Sequence, residues 1–240
     1  MPEVPKEIPF MMLRNFFEHA AGRNWRFLLL LDELEHLVKG ENAKIYDENF
    51  FSALRSIIQI KQISWITASY RIVYMPNTTT SPFTNIMQSM PYVGPLSPAD
   101  AQLLAAEPAA RAGHPFELED VEFVTAYAGR MPFLLQKTSL QLYKSHLNGK
   151  RGKPAHKEVV KVCSLELEKY FDSQLGQLTG EEKLALRQLV HAPELEPELS
   201  NSVDVLEGYG FIERVKGGYK ILGNAFRDYL ASKSKIKINS

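Results

Sequence analysis

Asp32 and Glu33 stand side by side at the end of an apolar run, Phe27 to Leu31, giving the string FLLLLDE. Two adjacent carboxylates at the end of a buried strand suit phosphate chemistry. The first can hold Mg²⁺, directly or through water. The second can orient or deprotonate a water that attacks a terminal phosphate. Two acids that merely cap a strand and open a solvated turn would be spelled the same way. A second apolar run, Ile63 to Ala68, is followed by Ser69 and Arg71 and contains Thr67. If the two runs are neighbouring strands, Thr67, Ser69 and Arg71 sit beside Asp32. A polar or cationic group there can contact a γ-phosphate, although ordinary loop polarity predicts the same residue types.

These residues need elements to position them. Phe10, Leu13, Phe16 and Phe17 recur at helical spacing within Phe10 to Ala21. Trp25 to Leu31 reads as a strand, apolar enough to lie in a parallel sheet covered by helices on both faces. Phe51, Leu54, Ile57 and Ile58 mark a second amphipathic helix over 50–60, before the second strand. Helix, strand, helix, strand predicts a parallel sheet with crossover helices, and ligands there bind beyond the carboxyl ends of the strands. Residues 75–82 read as a loop, Phe83 to Met90 as a short helix, and Tyr92-Val93 as a brief extended segment.

From Ser97 to about Phe171 the pattern is mainly helical. Ser97 is placed to cap a helix with Pro98 at its first position. Glu119 to Ala128 and Pro132 to His146 are further helices. Between them, Gly129 can end one helix and Pro132 can start the next; the same turn could press on an adenine base. Asn148 to Pro154 is a basic break. Beyond it, Thr179 and Glu182 form a capping-box pattern, Val203 to Tyr209 is a helix, and Lys216-Gly217-Gly218 separates two short strands. Asn224 to Ser232 closes the chain as a helix. Helix, helix, hairpin, helix is the order of a winged helix-turn-helix. Its second helix carries Asp204 and Glu207 and no Lys or Arg, which opposes a phosphate backbone and favours protein packing.

Composition narrows the classes. Lys+Arg and Asp+Glu number 28 each over 240 residues, which argues against a mainly electrostatic nucleic-acid binder. The single cysteine, Cys163, rules out an internal disulfide framework, suits a reducing compartment and reads as a buried, inert thiol. The six scattered histidines show no metal-ligand spacing. No signal-peptide pattern opens the sequence, and no run approaches the roughly 18 apolar residues of a membrane span. The expectation is a soluble, cytoplasmic protein without a membrane partner.

Together the motifs resemble the later part of an AAA+/STAND-type P-loop ATPase, over about residues 10 to 232. FLLLLDE looks like a Walker B motif and SWITASYR like the sensor-1 strand after it. The stretch Ser81 to Glu107 is similar to the entry into a helical lid, and AGRMPFLLQ resembles the lid's Gly-x-Pro motif. The resemblance implies an α/β then mainly α fold: a partial parallel-sheet P-loop core over 1–95, a helical lid over 96–172 and a winged-helix domain over 173–240. It implies ATP and Mg²⁺ as ligands, with Asp32 serving Mg²⁺ through water and Glu33 activating water. Ser69 or Arg71 would sense the γ-phosphate beside Thr67, and Gly129 and Pro132 would meet the base. The family's Gly-x-x-x-x-Gly-Lys-Ser/Thr loop does not occur in this sequence, so the chain is expected to be either a fragment of a longer ATPase or a degenerate relative. The resulting expectation is an ATPase-derived regulatory switch, unlikely to hydrolyse ATP alone, with protein partners or self-association. The alternatives are a non-catalytic protein-interaction module and a winged-helix DNA-binding regulator.

Overall fold

The structure, a computed structural model, describes residues 10–38, 48–69, 89, 91 and 93–236. Arg71, the loop over 75–82 and the expected helix from Phe83 lie outside them. The chain divides into two compact units, Met1–Met90 and Pro91–Ser240.

In the first unit, α1 (Phe10–Gly22) leads to β1 (Phe27–Leu31), a 3-10 turn (Leu34–Val38), α2 (Glu48–Ile58) and β2 (Ile63–Thr67). The two strands pair in parallel, Phe27 opposite Ile63 and Leu31 opposite Thr67. Both helices present their apolar stripes to one face of this ribbon. Phe17, Ile57 and Ile63 are buried there, with Leu13, Phe27 and Leu29 packed around them, and the rings of Phe17 and Phe27 meet edge to face at 5.1 Å.

The other face corrects an expectation. So apolar a strand should be covered on both sides, yet Leu28 is 58% exposed, Leu30 69% and Ile66 60%. The physical reason is simple. Side chains alternate along a strand, and among the described residues α1 and α2 cover only the Phe27–Leu29 side.

The second unit is mainly helical: α3 (Pro98–Arg111), α4 (Leu118–Ala128), α5 (Pro132–Leu147), α6 (Gly152–Gly176), α7 (Gly180–Leu189), a 3-10 turn (Pro197–Ser202), α8 (Val203–Gly208) and α9 (Asn224–Ile236). Between α8 and α9, β3 (Ile212–Val215) and β4 (Gly218–Ile221) form an antiparallel hairpin. The capping signals act as their sequences predict. Ser97 Oγ accepts the Asp100 N–H at 3.1 Å. At the start of α7, Thr179 Oγ1 accepts the Glu182 N–H at 3.2 Å, while the Glu182 carboxylate accepts the Thr179 N–H at 2.7 Å.

One core runs through the whole unit, from Val124 and Leu135 through Val159 and Leu167 to Leu186 and Leu206. Each such side chain contributes on the order of 2 kcal/mol by leaving water. Cys163 lies in this core, and burial pushes its thiol up to about 11, which leaves it protonated and inert at neutral pH. Residue 172, where lid and C-terminal domain were expected to part, falls inside the unbroken helix α6. The basic break is also shorter than expected, since Gly152 to Pro154 already form the first turn of α6.

Candidate functional site

The parallel register brings the carboxyl ends of β1 and β2 together. Beyond Leu31 the segments that follow the two strands stay tied through one residue, Ala68. Its N–H donates to the Leu31 carbonyl at 2.8 Å, and its carbonyl accepts the Leu34 N–H at 3.1 Å. Asp32 and Glu33 are the loop between those two anchors, and both are exposed. Glu33 takes φ of 53°, a left-handed conformation uncommon for a residue with a Cβ, while Asp32 Oδ1 accepts its N–H at 2.9 Å. The acids are thus held at the strand edge by backbone bonds on either side, and their carboxylates face water.

Thr67 ends β2 opposite Leu31. Ser69 follows, and its hydroxyl donates to Glu35 Oε2 at 2.8 Å. Glu35 is only 7% exposed, so this bond joins the turn after β1 to the end of β2. A hydroxyl has one proton; while Ser69 gives it to Glu35 it cannot donate to a phosphate. Sequence reading passed over Glu35. Its one available signal was position, a carboxylate directly after the Asp-Glu pair and one apolar residue.

A bound Mg²⁺ would suit the exposed acids. Among the described residues no three His, Cys, Asp or Glu side chains form a metal-binding group, but Mg²⁺ takes one or two carboxylates and completes its shell with water and phosphate oxygens. The triphosphate fits less well. No described residue of the first unit supplies a lysine beside a loop of backbone N–H groups of the kind that holds β- and γ-phosphates.

In the second unit, Gly129 ends α4 with φ of 68° and Pro132 opens α5. Gly129 is buried against the backbone of Gly223, while Pro132 is exposed. Gly129 also lines a groove of about 670 Å³ together with Ala101, Thr125, Arg130, Glu213 and Tyr219. Arg130, inside the expected nucleotide turn, donates to Glu213 Oε2 at 2.7 Å and to the Leu96 carbonyl at 3.1 Å. Lys220 reaches the other oxygen of Glu213 at 2.6 Å. The turn is therefore fastened to the β3–β4 hairpin, a link that required knowing which distant segments meet.

A buried polar cluster also escaped the sequence reading. Asp120, 2% exposed, has His156 Nε2 2.7 Å from one oxygen and His146 Nε2 3.4 Å from the other. It also accepts the Glu117 N–H at 3.3 Å. The His156 ring stacks on Phe123 at 4.1 Å, and Phe116 stands edge-on to His146. Burial holds the His146 imidazole below its ordinary value; Asp120 pulls it back up, while Arg151 and His156 push it further down. A pH dependence follows. Below the ordinary value of 6.5 the unfolded chain binds a proton at this ring that the folded chain resists. Stability is full above that value and falls as the pH drops. Urea midpoints of the helical circular dichroism signal fall between about pH 7 and about pH 5, and fall less in His146→Gln. An equal fall in the variant counts against the assignment.

No protein-family model and no curated protein matches the chain. Solved structures do. The Walker-type ATPase of Pyrococcus abyssi superposes with a TM-score of 0.60 at 13% identity, covering 94% of this chain and 69% of that one. The fold is that of a P-loop ATPase. Two mutant forms of RuvB from Thermotoga maritima align at TM-scores of 0.43 and 0.39, with 14% and 12% identity, each over 90% of this chain and 74% of RuvB. Within a P-loop ATPase fold, the acidic loop after β1 lies where such sheets bind ligands. Among the described residues no helix is long and apolar enough to cross a membrane.

Proposed function

We propose that this chain is an ATPase-derived switch of the AAA+/STAND class, working in the cytoplasm through protein partners. The observation that carries the reading is the shared edge of β1 and β2, where Asp32, Glu33, Thr67 and Ser69 meet under a common backbone anchor. In this reading Asp32 serves Mg²⁺ through water and Glu33 activates the attacking water. Thr67 and Arg71 meet the terminal phosphate, joined by Ser69 once it releases Glu35. Gly129 and Pro132 belong to a helical lid over 96–172, followed by a winged helix over 173–240. The phosphate cradle comes from outside these residues, because no Gly-x-x-x-x-Gly-Lys-Ser/Thr run occurs in them.

The acidic short helix α8 supports protein partners over DNA. Asp204 has a side chain 92% exposed and Glu207 39%, and Arg214 lies 3.8 and 3.5 Å from them. One cation shared by two acids leaves this face unattractive to phosphates.

Calorimetry with Mg-ATP tests the reading. The chain alone releases no measurable binding heat and turns over no ATP. When it is joined to a segment bearing a phosphate loop, turnover appears, and Glu33→Gln lowers it by about a hundredfold or more while nucleotide still binds. Turnover by the chain alone that Glu33→Gln abolishes would show that the cradle lies within these residues. Full turnover in the joined Glu33→Gln variant would remove Glu33 from the chemistry.

A further inference from the structure

The turn between α5 and α6 and the first half of α6 gather positive charge that the fold does not use. Residues 144–161 contain six Lys or Arg and one acid, Glu158, in a chain of zero net charge. Lys144, Lys150, Arg151, Lys153, Lys157 and Lys161 are all exposed. Glu158 is already engaged: its carboxylate accepts from Ser145 at 2.5 Å and from Lys150 at 2.6 Å. Among the described residues Lys150 is the one member of the six with an ion pair. Along this part of α6 the buried residues are Ala155, Val159 and Cys163. Lys153, Lys157 and Lys161 each stand two residues before one of these, about 200° round the helix. They form an outward-facing row with about 6 Å of helix rise between neighbours. Local preference is broken here more than once. Arg151 at the N-cap provides no side-chain cap, and the first turn of α6 holds no acid. A helix N-terminus favours acids and repels cations. Like charges four residues apart also repel, as in Lys153–Lys157 and Lys157–Lys161. Acids at these exposed positions would serve the helix better, and a stretch that breaks local rules without a gain in packing is where a functional surface is expected.

We infer that this row binds the phosphate backbone of double-stranded DNA. A line of cationic donors on a rigid helix complements a line of phosphates, and binding relieves the repulsion that the free helix carries. Residues 144–161 hold no Phe, Trp or Tyr. That removes the stacking platforms on which single strands are held and the aromatic anchors of helices that lie in a membrane surface. After Arg151 the helix offers lysines and neither Asn nor Gln before Gln174, which suits phosphates rather than base edges. It presents nothing that would select a 2′-hydroxyl. The contact is therefore positional and independent of sequence. The acidic helix α8 takes no part in it.

Fluorescence anisotropy with labelled DNA duplexes, without Mg²⁺ or nucleotide, tests this independently of the ATPase reading. The whole chain binds two duplexes of unrelated sequence equally, with a dissociation constant on the order of 10⁻⁵ M near about 0.1 M salt. Lys157→Gln weakens both by roughly eightfold at that salt and flattens the slope of log affinity against log salt by about 1. Lys216→Gln, in the turn between β3 and β4, changes neither. Lys157→Glu weakens binding further yet raises the urea midpoint, because an acid there pairs with Lys153 and Lys161. Lost binding in a more stable variant cannot come from unfolding. A native chain that binds neither duplex at low salt overturns the proposal. So does a Lys157→Gln slope equal to the native one, a preference for one sequence, or equally strong binding to phosphatidylserine vesicles. A lowered urea midpoint in Lys157→Glu overturns it as well, because the row then serves the fold.

Discussion

Gly223→Ala lowers the stability of the Pro91–Ser240 unit by about 3 kcal/mol. Gly223 has φ of 82°, and a Cβ there would lie 2.8 Å from the Gly129 nitrogen and 2.9 Å from the Ala128 carbonyl carbon. Those atoms are backbone at the end of α4, so no rotamer change relieves the clash; helix and chain must separate. Gly217→Ala is the natural control. It has a similar φ of 91° with nothing within 4 Å of the added carbon, so it carries only the conformational cost of about 1 kcal/mol. Urea unfolding distinguishes the two if the signal is chosen by unit. Both tryptophans, Trp25 and Trp65, belong to Met1–Met90, so circular dichroism of the helices follows mainly the second unit. Equal losses in the two variants would mean that the Gly129–Gly223 contact is not close-packed in solution.

Asp120→Ala costs the same unit about 3 kcal/mol at neutral pH. The carboxylate is 2% exposed and serves His156, His146 and the first turn of α4 together. Removing it leaves His156 Nε2 without its hydrogen-bonding partner at 2.7 Å, within a largely apolar surround. An exposed acid offers the contrast: Glu119→Ala, one residue earlier in the same first turn, changes stability by less than about 0.5 kcal/mol. If Asp120→Ala is as mild as Glu119→Ala, the cluster is not a structural hub.

The sequence showed most of the elements because their causes are local. Apolar spacing placed α1 and α2, the Thr179–Glu182 box started α7, and the glycines after Lys216 turned the hairpin. Each depends on residues within a turn or two of one another. The candidate site was legible to the same extent: Asp32, Glu33, Thr67 and Ser69 sit at neighbouring strand ends because alternating helix and strand predicts a parallel pair. What failed to show depended on contacts across the chain. The open face of β1 is invisible in FLLLLDE, since apolarity states what a strand needs to bury and not whether anything buries it. Glu35 gains its meaning only from the Ser69 hydroxyl, 34 residues further along the chain. Asp120, His146 and His156 stand on three successive helices, and only the packing of α4, α5 and α6 gathers them. Arg130 was hidden within a turn whose glycine and proline drew the attention.

Helix α6 gives the second unit a mechanical character. Its 25 residues make a rod of roughly 37 Å at the rise of an α-helix. Its first half packs in the helical layer and its second half reaches the core shared with α9. No break interrupts it, so α4, α5 and α9, which all pack on it, are held to one stiff rod. Along that rod the Pro91–Ser240 unit turns as one body rather than bending between its two halves.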